Sequence, residues 1–245
     1  MLFIVDIGNT NICAALHDGK NVSVIKRFKT RDSNTLSQFV SYIQTIEFEN
    51  AIVSSVVPDL TDVVASLINK PKLIVNIEME SGLVKESIPA EIGADIFCNL
   101  IAAHKLYPND YVTVADFGTA FTTETVSPEG KVMGVTIAPG IWTSIKALFS
   151  NTAQIPPLML DMPQTVLGMD TVQAVRAGVV FGAKGQLEAI VQQIEKEVGH
   201  PVKLVLTGGL SKYISTILKR EHLADVNWTL QGAKIAFDLN KANCR

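Results

Sequence analysis

The sequence predicts a duplicated α/β protein whose two halves each run strand, hairpin, helix, strand, helix, strand. Three observations carry this. "DIGNT" at 6–10 returns as "DFGTA" at 116–120, each time where an apolar strand ends in an acid. "SSVVP" at 54–58 holds in the first half the place that "LTGGL" at 206–210 takes in the second. Hydrophobic residues are 47% of the 245, enough for a sizeable core in each half, and a repeat this long excludes a short-period solenoid. The boundary falls near Pro108–Tyr111, giving domains at 1–110 and 111–245. Two such halves are expected to face each other across a cleft, a common place for a ligand.

The elements follow in order. "LFIV" at 2–5 is a short buried strand ending in Asp6. "HDGKN" at 17–21 carries the Asp-Gly signal of a hairpin turn between strand-like flanks. Leu36, Phe39, Val40, Ile43 and Ile46 recur at steps of three and four, a helical period with Ser33 as its expected cap. "AIVSSVVP" reads as a buried strand, Leu60 to Ile68 as a short helix and "KLIVNI" as a strand. The second half restarts with the strand "YVTVADFGTA", then a hairpin around Pro128-Glu129-Gly130. The longest helix spans Asp170 to Val198, with Val172, Val175, Val179, Ala183, Leu187, Ile190, Ile194 and Val198 as its core-facing stripe. "VKLVLTGGL" is the next strand and turn, a helix begins near Leu210, and the last helix runs from Gln231 to Asn240.

Composition excludes several classes. Lys and Arg number 21 against 24 Asp and Glu, for a net charge of −3, with no basic cluster, so no nucleic-acid partner is expected. Cys13, Cys98 and Cys244 are an odd, widely spaced set that offers neither a disulfide framework nor a zinc motif and fits a reducing cytoplasm. The opening "MLFIVDIGNT" lacks a basic leader, and no run reaches ~18 apolar residues, so a cytoplasmic protein without a membrane span is expected. His17, His104, His200 and His222 are scattered and make no ligand triad. Trp142 and Trp228 read as packing residues.

The paired acid-Gly turns carry the chemistry. Gly lets the backbone approach a ligand, and successive N–H groups in a tight turn form a concavity for an anion. The Asp repels phosphate directly and is better suited to hold Mg²⁺, a water or a monovalent cation that bridges to it. One copy alone reads equally as a turn closed by its Asx side chain. Two copies in equivalent places favour a phosphate clamp. The "TGG" at 207–209 is either a plain turn between strand and helix or a flank of the nucleoside. No Walker A, GxGxxG, HExxH or GxSxG pattern occurs.

In this order the motifs resemble those of the actin-like ATPase (ribonuclease H-like) superfamily, and more narrowly type III pantothenate kinases. The resemblance runs nearly end to end: "DIGNT" at 6–10, "SSVVPDLT" at 54–61, "GADI" at 93–96, "DFGTAFT" at 116–122, "GVTIAPG" at 134–140, "TAQIP" at 152–156, "LTGGL" at 206–210 and an "LxxGL"-like element at 230–234. It implies ATP-dependent phosphorylation of the pantothenate hydroxyl, the first step of coenzyme A synthesis, with Mg²⁺ and K⁺ or NH₄⁺, in a homodimer. Asp95 then resembles the general base; as residues alone, "GAD" also reads as a helix N-cap. Asp6, Ile7, Gly8, Asn9, Thr10, Asn11, Ile12 and Cys13 resemble the first phosphate turn, joined by Gly118, Thr119, Gly208 and Gly209. Gly93, Ala94, Ile96, Glu86 and Thr171 fall at substrate positions. Asp116 resembles the monovalent-cation ligand, and Asp6 holds Mg²⁺ through water.

Several positions depart from the family pattern. Its Arg after the catalytic Asp is Ile96 here, its Tyr nine residues earlier is Glu86, and its Lys late in the first turn is Cys13. "GG" before the "PG" has become Gly134-Val135, and "KNT" before the long helix reads Met169-Asp170-Thr171. An Arg fork grips a carboxylate in two hydrogen bonds, so its loss bears on how an acid is held. Arg176, Lys85 or a residue of a second subunit could compensate. The alternatives are a paralogue acting on another hydroxylated metabolite and a non-catalytic nucleotide-binding regulator.

Overall fold

The computed structural model describes residues 1–151 and 160–244; the "TAQIP" motif at 152–156 lies outside them. The chain divides into two compact units. The first comprises Met1–Asn109, Val126–Val132 and Asn227–Arg245, the second Asp110–Thr125 and Met133–Val226.

The first half of the chain runs β1 (Leu2–Ile7), β2 (Asn11–His17), β3 (Val22–Lys29), α1 (Thr35–Ile43), β4 (Asn50–Ser55), α2 (Pro58–Ser66), β5 (Lys72–Ile74) and α3 (Ala94–Leu106). Then follow β6 (Val112–Phe117), β7 (Ala120–Val126), β8 (Val132–Pro139), α4 (Ile141–Asn151), α5 (Thr171–Val198), β9 (Lys203–Thr207), α6 (Ser211–Ile217), β10 (Leu223–Ala224) and α7 (Trp228–Asn240). One sheet has the order β3-β2-β1-β4-β5, the other β8-β7-β6-β9-β10. These are the same order, so the duplication expected from two short motifs is a repeat of topology.

Strand periodicity sets the cores. On one face of the first sheet Phe3, Val5, Ile7, Ile12, Ala14 and Phe28 pack with Phe39 of α1 and Val64 of α2. Phe28 meets Phe39 edge-on at 5.7 Å between ring centroids. Asp6 faces the other way, toward the side of β1 and β4 covered by α3 and α7. In the second unit the expected α5 stripe, from Val172 to Val198, packs with Leu204, Leu206 and Ile214. α5 starts where the Asp170 side chain accepts from Gln173 N at 2.8 Å and stops at Gly199, whose φ of 73° is left-handed.

Several boundaries differ from the expected ones. α1 begins after Asn34 rather than at a Ser33 cap, with Asp32 Oδ1 accepting from Asn34 N at 2.9 Å. α4 carries no sequence expectation at all. Trp142, expected to pack, is 38% exposed, whereas Trp228 is buried and stacks on Tyr107. α7 lies in the first unit, although it follows the second half in sequence. Its small face explains the placement: a Cβ on Gly232 would stand 1.9 Å from the Cys98 carbonyl oxygen of α3. Trp228 Nε1 donates to Asn99 O at 3.2 Å and Thr229 Oγ1 to Asn99 Oδ1 at 2.8 Å. No described helix is long and apolar enough to cross a membrane.

Candidate active site

The first acid-Gly turn joins β1 to β2. Gly8 N donates to Asn11 O at 3.0 Å, which closes the turn. Thr30, just past β3, fastens it from below: its Oγ1 donates to Gly8 O at 2.7 Å and its N–H to Thr10 O at 3.0 Å. Asn9, Thr10 and Asn11 are left exposed at the tip. Ile7 and Ile12 are fully buried in the core, so of the expected turn residues these two can meet a ligand only through their backbone.

Behind the turn a row of side chains crosses the sheet. Asp6 pairs in register with Ser54 of β4 on one side and with Cys13 of β2 on the other, and Cys13 pairs with Arg27 of β3. Directly paired residues share a face. Burial pushes the Asp6 carboxyl up to about 7; the charge of Asp95 adds to the rise and the Ser54 hydroxyl offsets part of it. Burial likewise raises the Cys13 thiol, against the nearby Arg27 guanidinium. Cys13 is 9% exposed and belongs to β2 rather than to the turn. The Cys98 thiol of α3 is raised by burial and by the charges of Asp6 and Asp95, which places all three side chains in one region.

Asp95 belongs to the first turn of α3. The N-cap is Gly93, not Asp95, and Asp95 Oδ1 accepts from Ile96 N at 2.7 Å. A helix N-terminus favours a carboxylate, yet burial dominates and raises the Asp95 pKa. Gly93 leaves room for this geometry: a Cβ there would lie 2.5 Å from Asp95 Oδ1 and 3.3 Å from Val56 Cγ1, so the carboxylate would have to move. Ala94 is half-buried, and Ile96 is buried within α3's packed face.

Glu86 is exposed on a short 3-10 turn, Lys85–Ser87. That turn is held by Val132 N donating to Ser87 Oγ at 2.9 Å and Val84 N to Gly130 O at 2.8 Å. Of the cations that could replace the missing Arg, Lys85 pairs with Glu78 and Arg176 with Asp161 at 3.3 Å. The Lys85–Glu78 pair is exposed and contributes about 0–1 kcal/mol, so it holds Lys85 only weakly.

The second turn repeats the first. Asp116 pairs in register with Thr207 as Asp6 does with Ser54, and Gly118 N donates to Ala120 O at 3.0 Å. The Thr119 carbonyl accepts from Gly140 N at 3.1 Å and from Thr143 Oγ1 at 2.6 Å, tying the turn to the start of α4. Gly208 has φ 87°, and a Cβ there would meet Asp116 Oδ1 at 2.2 Å. Gly209 meets no such limit. The Thr207 hydroxyl is buried with no hydrogen-bond partner among the described residues. Thr171, the first residue of α5, is exposed and lies in the second unit, whereas Gly93 and Asp95 lie in the first.

Sequence reasoning passed over Thr30, Ser54, Thr143, Gly140 and Arg27. Ser54 had a usable signal, since its motif was already aligned with "LTGGL". The others act across long separations that no local pattern announces.

A family model for type III pantothenate kinases matches residues 2–193. The chain belongs to the type III pantothenate kinase family. Relatives of that name from Agathobacter rectalis and Syntrophus aciditrophicus are 32% and 31% identical, over 97% and 98% of this chain and 96% and 100% of theirs. Two solved structures share the fold. A protein described as a Baf family transcriptional activator from Campylobacter jejuni superposes with a TM-score of 0.63 at 19% identity, covering 98% of this chain and 99% of that one. A protein described as a 2-dehydro-3-deoxygalactonokinase from Sinorhizobium meliloti gives 0.56 at 12% identity, covering 96% and 95%. The paired sheets of this type III pantothenate kinase family member are thus those of the actin-like ATPase and sugar kinase fold.

Proposed function

We propose that the protein phosphorylates the primary hydroxyl of pantothenate with ATP, the first step of coenzyme A biosynthesis. The observation that carries this reading is the half-buried Asp95 carboxylate, seated beside Gly93 and close enough to Asp6 to raise its pKa. Asp95 orients the acceptor hydroxyl and takes its proton as that oxygen forms a bond to the γ-phosphorus and the bond to ADP breaks. Its raised pKa brings its basicity nearer to neutral pH. The exposed tip of the first turn, at Asn9–Asn11, offers backbone N–H groups to phosphate oxygens, and Thr119 does so in the second turn.

The cation roles rest on the donor set. Two half-buried carboxylates that repel one another, Asp6 and Asp95, fit a nearby divalent ion. Mg²⁺ is commonly held by one or two carboxylates together with waters and phosphates. When bound, Mg²⁺ neutralises charge on the transferring phosphates. Asp116 with the buried Thr207 hydroxyl offers hard oxygens for K⁺ or NH₄⁺. The family resemblance further supports a homodimer working in the cytoplasm, with substrate-binding roles for Gly93, Ala94, Ile96 and Glu86, and separately for Thr171.

A coupled ATP-consumption assay with Mg²⁺ and K⁺, run over pantothenate and a panel of hydroxylated acids and their amides, tests the proposal. Turnover that depends on pantothenate supports it; turnover with another acceptor alone redirects it to that molecule.

A further inference from the structure

We infer that Arg27 supplies positive charge to the first phosphate turn, binding the phosphate chain from β3. The inference rests on the reading of this turn as a nucleotide site.

A polyphosphate at this turn meets Asp6, a negative group, and at position 13 a thiol, which offers no positive charge. The sheet register brings a cation to the same place. Cys13 pairs directly with Arg27, so the row reads Arg27, Cys13, Asp6, Ser54 across four neighbouring strands. The guanidinium reaches the Cys13 sulfur, and among the described residues it forms no ion pair with a carboxylate. Its charge is therefore not spent within the protein.

The alternation along β3 separates its cations: Arg27 shares one face with Lys29, which pairs with Asn11 of the turn, and Lys26 lies on the other. Lys26 turns with Phe28 to the α1 side, where its Nζ lies 5.9 Å from the Tyr42 ring centroid. Arg27 turns the opposite way, to the face of Asp6. Beyond the strand, Arg31 is paired with Asp59 at 2.7 Å. Thr30, three residues past Arg27, grips the turn itself through Gly8 O and Thr10 O, which fixes β3 against the ligand-facing backbone. Arg27 is exposed, so its side chain can turn from the sulfur to a phosphate oxygen at little cost to folding. An Arg fork suits phosphate, and hydrogen bonds to ionised partners are the strong ones.

The test measures KM for ATP and for the acceptor in wild type, Arg27→Met and Arg27→Lys, with thermal unfolding as the folding control. Losing one charge-assisted contact raises the KM for ATP roughly ten- to a hundredfold, while the acceptor KM and the unfolding temperature stay near wild type. Arg27→Lys keeps most of the affinity. A second variant, Cys13→Lys in the Arg27→Met background, moves the charge one strand inward and recovers ATP affinity. An unchanged KM for ATP in Arg27→Met, alongside an active wild type, overturns the role of Arg27 and leaves the kinase reading intact. Wild type that neither binds nor consumes ATP overturns both.

Discussion

Asp95 adds its charge to burial in lifting the Asp6 carboxyl to about 7. These residues are far apart in sequence, one at the end of β1 and the other in the first turn of α3. Their encounter costs the folded protein stability, as expected for a site arranged for a cation and a phosphorylated ligand rather than for packing.

The pH dependence of stability should show this cost. Asp6 has a folded pKa above its unfolded value near 3.8, so the native state holds the extra proton. Its favourable contribution is complete below about pH 4 and is lost as pH rises to about 7. At one unit per roughly 1.4 kcal/mol, the loss is on the order of 4 kcal/mol. Asp6→Asn should therefore unfold at a higher temperature than wild type above about pH 7.5, with the gap closing toward about pH 4. Parallel curves for the two proteins would remove the claimed strain.

Mg²⁺ should relieve the same repulsion. Its addition raises the melting temperature of wild type near pH 8 more than near pH 5.5, where Asp6 is already protonated, and does so less in Asp6→Asn. Equal shifts in both proteins would place the ion elsewhere.

Gly93→Ala tests how Asp95 is aimed. The added Cβ would lie 2.5 Å from Asp95 Oδ1, so the carboxylate must swing away. A displacement of about 1 Å can cost on the order of a hundredfold in rate. The variant should lose turnover by about that factor with ATP binding preserved, as read by isothermal titration; wild-type kcat would show that Asp95 needs no such seat.

Ile96→Arg restores the fork found elsewhere in the family. Ile96 is only 8% exposed, so the long side chain must extend outward from α3, and some loss of melting temperature is expected. The KM for pantothenate should fall. If it does not, the carboxylate of the acceptor is held by another group, with Lys85 and Arg176 the next to replace.

The parts legible in the sequence are those fixed by local chemistry. The acid-Gly turns, the Asp-Gly hairpin signal, and the α5 stripe between Asp170 and Gly199 all show within a few residues, and the repeat of turns gave the repeat of topology. α4 was not legible because the preceding "PG" reads as a turn and masks the helical spacing of Ile141, Ile145 and Leu148. The place of α7 depends on Gly232 meeting Cys98, a contact between distant segments. The same holds in the site: Asp6, Gly8 and Gly93 were read from motifs, whereas Thr30 beneath the turn and Arg27 beside Cys13 follow only from strand register.

The most direct measurement is the pantothenate-dependent consumption of ATP by wild type and Asp95→Asn, with nucleotide binding followed in parallel. The account predicts turnover in wild type, and in Asp95→Asn a loss of roughly a hundredfold or more with ATP affinity kept. Equal turnover in the two proteins, or no pantothenate-dependent turnover in wild type at millimolar acceptor, would contradict it.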